Sequence, residues 1–302
     1  MKTDDKATLA LLGTVLLWSF MVVIARWIAL IVSPITILFY RLLIAAVSFL
    51  PFFIKYRTWT KPHFIKLALI SLGATINLIF FIIGIKYTSA SASQIIYAAM
   101  PILILLLGKY YKGERHSLNK IIGVIIGFLG LLLIGFLSSI EKGETISGTL
   151  FGNILILIAM LGWTSYLLNS KSLSKYFHPI EMGSTSIIVS FIISAILYGL
   201  NQNLMKNPIN LNFTFISSVF YMGFAGTFLT YILFQYAIHH SSALKVSLTS
   251  YIQPVTTAFL AIIFIGEKLT FYFVVGSILV LIGVLLTSSY SLNILKKLPI
   301  FE

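Results

Sequence analysis

The residues able to do chemistry are few and peripheral. Eight carboxylates (Asp4, Asp5, Glu114, Glu141, Glu144, Glu181, Glu267 and Glu302) sit in tails, loops or at helix ends. The five histidines, His63, His116, His178 and the pair His239-His240, lie in loops or at a segment end. Cysteine is absent, which removes thiol nucleophiles, disulfides and thiolate metal sites. No H-E-x-x-H helix, phosphate-cradling glycine loop or G-x-S-x-G elbow occurs. No enzymatic activity, cofactor or metal is therefore expected. What remains is binding chemistry. Arg41 lies in an apolar run, where a charge is costly unless it meets a partner or water. Polar and aromatic tips recur at helical spacing: Asn77 beside Gly73, Phe81 and Gly84; Ser93, Tyr97 and Met100; Trp163, Tyr166 and Ser170; Phe224, Phe228, Tyr231 and Gln235; Ser250, Gln253 and Thr257. Any one stripe also reads as helix packing, but together they suggest an aromatic-walled chamber with a few hydrogen-bonding tips, suited to a small amphipathic solute.

The elements that must position these groups are membrane helices. The chain has 302 residues, of which 59 % are hydrophobic and 10 % charged, with a mean hydropathy of +1.01. Charge this sparse cannot cover so much apolar surface in water, so lipid is the solvent for much of it. Apolar runs between charged or turn-rich punctuation predict ten segments near 7–26, 34–54, 65–85, 88–108, 121–138, 150–169, 180–200, 213–237, 246–265 and 270–290. The first follows Lys2 and Lys6 like a signal peptide, but it lacks an A-x-A cleavage site and ends at Arg26-Trp27, so it reads as a retained span. The connections around 138–148 and 201–212 read as surface loops.

Direction follows from charge. With the N-terminus in the cytoplasm, five of the 21 Lys and Arg residues (Arg26, Lys86, Lys142, Lys206 and Lys268) fall outside, Arg41 falls within a span, and the remainder fall inside. That bias places both termini in the cytoplasm of a multi-pass protein of the inner or plasma membrane. The net charge of +13 is thus an orientation signal and not a nucleic-acid surface. The expected partners are a small-molecule substrate and membrane lipids, with self-association left open.

The chain also repeats itself. A shift of 153 residues carries Ser89-Ala90 onto Ser242-Ala243, Pro101 onto Pro254, Gly113-Glu114 onto Gly266-Glu267, Gly123 onto Gly276 and Gly130 onto Gly283. A shift of 145 carries Trp18 onto Trp163 and Pro34 onto Pro179. The predicted fold is an all-α membrane protein of two five-helix repeats, 1–140 and 141–302. Five is odd, so the repeats cross the bilayer in opposite directions. Inverted repeats are a recurrent architecture of secondary transporters, opening a central site alternately to each side.

The paired P…GE[RK] patterns, the tryptophans of the first and sixth segments, and Pro34 with Arg41 in the second resemble the EamA-type, ten-segment group of the drug/metabolite transporter superfamily. The resemblance covers nearly the whole chain. It implies export or exchange of small solutes, amino acids or related metabolites first, through a cavity lined mainly by segments one, three, four, six, eight and nine. The same fold family handles drugs, sugars and nucleotides. The substrate contacts expected on these grounds are Trp18, Asn77, Ser93, Tyr97, Trp163, Tyr166, Tyr231, Gln235, Ser250 and Gln253. Pro101 and Pro254, mid-segment, are expected to kink their helices and free carbonyls. Arg41 has two readings, an anchor for a substrate anion or a tie between helices. Glu114 and Glu267 read as hairpin ends, and Gly123, Gly127, Gly130, Gly276 and Gly283 as close helix contacts. No carboxylate lies mid-span to relay protons, which favours facilitated diffusion or exchange.

Overall fold

Backbone groups in lipid must be satisfied within the chain, and helices do this segment by segment. The computed structural model of the protein describes residues 3–88, 93, 96–112, 117–133, 137, 149–201, 212–265 and 271–287. The Gly113-Glu114 and Gly266-Glu267 motifs and most of the loops at 138–148 and 201–212 lie outside the described residues. Three long helices open the chain: α1 (Thr3–Ala29), α2 (Pro34–Tyr56) and α3 (Phe64–Tyr87). Two shorter ones follow, α4 (Met100–Lys112) and α5 (Leu118–Leu132). The second half repeats the order with α6 (Leu150–Leu173), α7 (Pro179–Leu200), α8 (Phe213–His240), the short α9 (Ala243–Ser247), α10 (Thr249–Ile265) and α11 (Phe271–Thr287). Among the described residues, six helices are long and apolar enough to cross a membrane: α1, α2, α3, α6, α7 and α8.

Local chemistry sets the boundaries. Pro34 and Pro179 occupy the first turns of α2 and α7, where a missing N–H costs nothing. The start of α7 is a reciprocal cap: the Glu181 carboxylate accepts from the His178 N–H at 2.8 Å, while His178 Nδ1 accepts from Ile180. Glu181 is 2 % exposed and pairs with Lys61, tying α7 to the turn between α2 and α3. That turn takes left-handed backbone at two non-glycine residues, Arg57 (φ 46°) and His63 (φ 67°). The side chains of Thr149, Asn212 and Ser242 cap α6, α8 and α9.

Two segments are less regular than their apolar pattern predicts. In the fourth, Tyr97 is helical, Ala98 and Ala99 form a turn and α4 starts at Met100, so Pro101 stands in a first turn and not mid-helix. In the ninth, Leu248 interrupts the helix between α9 and α10, and Pro254 lies inside α10. α8 is wound as a π-helix over Tyr221–Leu229, where Thr227 Oγ1 donates to the Met222 carbonyl at 2.7 Å.

The packing of the two halves is symmetric. α3 lies on α6 as α1 lies on α8; α2 packs on α7, and α5 on α11. Glycine sets the α5–α11 approach. A Cβ added at Gly123 would stand 2.7 Å from the Gly283 carbonyl oxygen, and one at Gly130 would stand 2.6 Å from that of Gly276. Numbers rise along α5 as their partners fall along α11, so the two helices run antiparallel. The 153-residue shift converts one contact into the other. Gly73 and Gly162 form a similar seam between α3 and α6, each added Cβ standing 2.8 Å from the other's carbonyl oxygen.

A second pair of contacts obeys the same operation. Arg26 Nη1 donates to the carbonyls of Ile85 (2.7 Å) and Lys86 (3.1 Å) at the end of α3. Lys171 Nζ donates to the carbonyls of Ile238 (2.8 Å) and His239 (3.2 Å) at the end of α8. The shift of 145 carries Arg26 onto Lys171, and that of 153 carries 85–86 onto 238–239. In each half a cation caps the negative end of a neighbouring helix. Because the start of α6 meets the end of α3 through Thr149 N–H to Tyr87 O (2.9 Å), the two clasps lie at opposite ends of the bundle.

Candidate functional site: a cavity between the halves

Trp18 on α1 and Trp163 on α6 touch edge to face, centroids 5.5 Å apart. They are repeat equivalents, and two equivalents in contact must flank the axis that relates the halves. Tyr231 and Phe234 of α8 join them, at 5.8 and 4.9 Å from Trp163. Beside this cluster opens a cavity with an empty volume of about 630 Å³, its mouth included.

Both halves build its wall. Trp18, Asn77, Tyr97, Trp163, Tyr231 and Ser250 reach it, as do Gln253 and Arg41. Asn77 is held in place by its amide, which donates to the Tyr97 hydroxyl and, at 3.1 Å, to the Ala159 carbonyl. Its own carbonyl oxygen makes no hydrogen bond among the described residues. The Tyr231 hydroxyl is buried and has no hydrogen-bond partner among the described residues. Ser250 Oγ turns back to the Ser247 carbonyl at 2.8 Å, while Ser19 Oγ holds the Gln253 carbonyl at 3.4 Å. Arg41 is 2 % exposed and bonds through Nε to Thr227 Oγ1 at 2.7 Å, bridging α2 to the π turn.

Three expected contacts lie elsewhere. Tyr166 and Gln235 belong to a buried hydrogen-bond network: Gln235 Nε2 donates to Tyr166 Oη (2.5 Å), which meets Ser186 Oγ (2.7 Å), itself 3.1 Å from Ser71 Oγ. With Thr75 and Ser190 at 2.8 Å, this network binds α3, α6, α7 and α8 together. Ser93 is buried in the fourth segment but does not reach the wall. Of the two prolines, neither lines the cavity; Met100, next to Pro101, does, as does Gln253 next to Pro254.

The stripes left out Met21, Val22, Leu78 and Thr249, which also line the cavity, as do Phe81, expected only as a neighbour of Asn77, and Met100, placed on the stripe of Ser93 and Tyr97 but not among the expected contacts. The repeat contains a signal for two of these. A shift of 153 carries Leu78 onto Tyr231 and Met100 onto Gln253, so equivalence alone promotes both from apolar filler to wall. Met21 and Val22 offer no polar or aromatic cue. Among the described residues no cluster of three or more His, Asp or Glu side chains could hold a metal.

A helical bundle with six membrane-length spans, two like-built halves and a polar-tipped cavity between them defines a multi-pass membrane transporter. Residues 5–136 and 150–289 each match the EamA-like transporter family, and the chain belongs to that family. It is 27 % identical over 293 residues to an uncharacterized transporter of Archaeoglobus fulgidus, across 95 % of this chain and 98 % of the relative. The uncharacterized transporter YyaM of Bacillus subtilis is 26 % identical over 215 residues, 70 % of this chain and 68 % of that protein. A solved crystal structure shares the fold with a TM-score of 0.78 at 15 % identity, covering 96 % of this chain and 99 % of the other. The protein is thus a non-enzymatic transporter whose surface meets lipid.

Proposed function

We propose that this transporter is an alternating-access secondary carrier that exports or exchanges small amphipathic metabolites, amino acids or related compounds foremost. Ten transmembrane segments form two inverted five-segment repeats, 1–140 and 141–302, in the inner or plasma membrane with both termini cytoplasmic. The antiparallel glycine seam of α5 and α11, the clasps at opposite ends of the bundle and the loop charges all support that topology. The observation that carries the reading is the contact of Trp18 with its own repeat equivalent, Trp163, on the wall of a cavity shared by both halves. A site on the axis serves both faces equally when the halves exchange conformations. Trp18, Trp163 and Tyr231 would hold the apolar body of the solute; Asn77, Tyr97, Ser250 and Gln253 would supply polar contacts, with Ser93, Tyr166 and Gln235 supporting the site from behind.

The test is counterflow in proteoliposomes with labelled amino acids, nucleosides and cationic dyes. Saturable exchange of any of them supports a carrier, and exchange of amino acids supports the narrower substrate class. If no solute exchanges in vesicles containing folded protein, the proposal fails. Unchanged kinetics in both Trp163→Ala and Tyr231→Ala would remove those two residues from the site.

A further inference from the structure

The wall of the cavity carries one formal charge among its described residues, the Arg41 guanidinium, and no carboxylate accompanies it. The two buried or half-buried arginines among the described residues use their donors differently. Arg26 delivers its terminal Nη1 to two carbonyls of α3, which is how a cation tying helices together behaves. Arg41 engages only Nε, with Thr227 Oγ1; both terminal amino groups donate to no described residue. Thr227 fixes the orientation of the guanidinium but carries no negative charge, since its own proton goes to the Met222 carbonyl. Nearby, Tyr231 lines the same cavity, and its buried hydroxyl has no hydrogen-bond partner among the described residues.

A buried cation with no counter-charge and two idle amino groups among the described residues is an unfavourable arrangement at membrane depth. It becomes favourable when a planar anion enters, because the terminal edge of a guanidinium matches the two oxygens of a carboxylate. We propose that the solute carried through this cavity presents a carboxylate to the terminal amino groups of Arg41, with the Tyr231 hydroxyl as a further donor and the Trp18 and Trp163 rings against its apolar part. The inference rests on the carrier reading and narrows it. Carboxylates, amino acids among them, are the substrate class. Organic cations are rejected, because they would enter beside a fixed positive charge with no acidic residue among the described residues of the wall to compensate.

Binding to purified protein tests this separately from transport. Trp18 and Trp163 face the cavity, so tryptophan fluorescence reports occupancy. Matched pairs serve as probes: isovalerate with isovaleramide, and 3-phenylpropionate with 3-phenylpropanamide, alongside tetraphenylphosphonium. The expected result is saturable quenching by the acids, with each amide weaker by about tenfold or more and tetraphenylphosphonium without effect. Arg41→Gln is expected to erase the acid–amide difference, and Arg41→Lys to retain part of it. Because Arg41 also ties α2 to α8, either variant can lose its fold; the acid–amide ratio in the unaltered protein then decides alone. Equal binding of acid and amide, tighter binding of the cation, or no acid bound at all overturns the inference. Counterflow separates the two readings. A protein that exchanges nucleosides or dyes but discriminates against carboxylates is still a carrier and refutes the inference. Selective carboxylate binding without any exchange upholds the carboxylate site at Arg41 and refutes the carrier.

Discussion

Tyr231 separates what holds the fold from what the cavity needs. Its ring packs against Trp163 and Tyr166, whereas its hydroxyl is buried with no hydrogen-bond partner among the described residues. Removing an unsatisfied buried oxygen should not destabilise the protein. Tyr231→Phe is expected to unfold at the same temperature or slightly higher, a gain of up to about 1 kcal/mol, while half-saturation for the transported solute rises. A lower melting temperature in detergent with unchanged transport would show that the hydroxyl serves packing alone. Trp163→Ala should behave in the opposite way in stability, losing about 3–5 kcal/mol because four aromatic neighbours lose their contact. The clasps make a third case. Arg26→Ala and Lys171→Ala each strip a charged donor from two helix-end carbonyls, at a cost of about 1–3 kcal/mol apiece. Lying at opposite ends of the bundle, the two losses should add in the double variant. Sequence reasoning located most of the polar wall because Trp, Tyr, Asn and Gln inside apolar runs are conspicuous. It could not separate Tyr166 from Tyr231. Both sit on aromatic stripes, and only the direction of the ring decides that one hydroxyl meets Ser186 and Gln235 while the other meets no partner among the described residues.

Helices in this protein are spaced by glycine. At Gly283 an added Cβ would fall 2.5 Å from both the Gly123 carbonyl oxygen and the Gly127 nitrogen, so even a methyl group must push α5 away from α11. Gly199, one residue before the end of α7, has nothing within 4 Å of the same position. Gly283→Ala should therefore destabilise by about 1–3 kcal/mol, and Gly199→Ala should stabilise by up to about 1 kcal/mol through helix propensity. Thermal unfolding of the two variants in detergent checks the contrast; equal shifts would mean that the seam is looser than its distances imply. The helices with long uninterrupted apolar runs were legible in advance, within a few residues. The interruptions were not. Ala98-Ala99 and Leu248 carry no breaker of their own, and Pro101 and Pro254 sit downstream of the breaks they accompany. The π winding of α8 likewise has no signature in Tyr221–Leu229 that periodicity would detect, since it adds one backbone register without changing which residues are apolar.

For the whole molecule, the duplicated pattern proved the most informative feature of the sequence, because it relates contacts that no local rule could pair. The inverted topology it implies has a direct test in a chain that naturally lacks cysteine. Leu30 and Lys175 are repeat equivalents, both exposed, one after α1 and the other after α6. Leu30→Cys is expected to react only with an impermeant maleimide added outside, and Lys175→Cys only after the cytoplasmic face is opened. Reaction of both from the same side would reject the inversion. Within that plan the halves are not identical twins. α3 is α-helical throughout, whereas its counterpart α8 contains a nine-residue π segment that receives Arg41 through Thr227. Perfectly duplicated halves would leave the inward-open and outward-open forms degenerate, each equally populated at rest. For the carrier proposed above, the odd winding is expected to lift that degeneracy and give the empty form a preferred doorway, with the solute's half-saturation differing between the two sides of the bilayer.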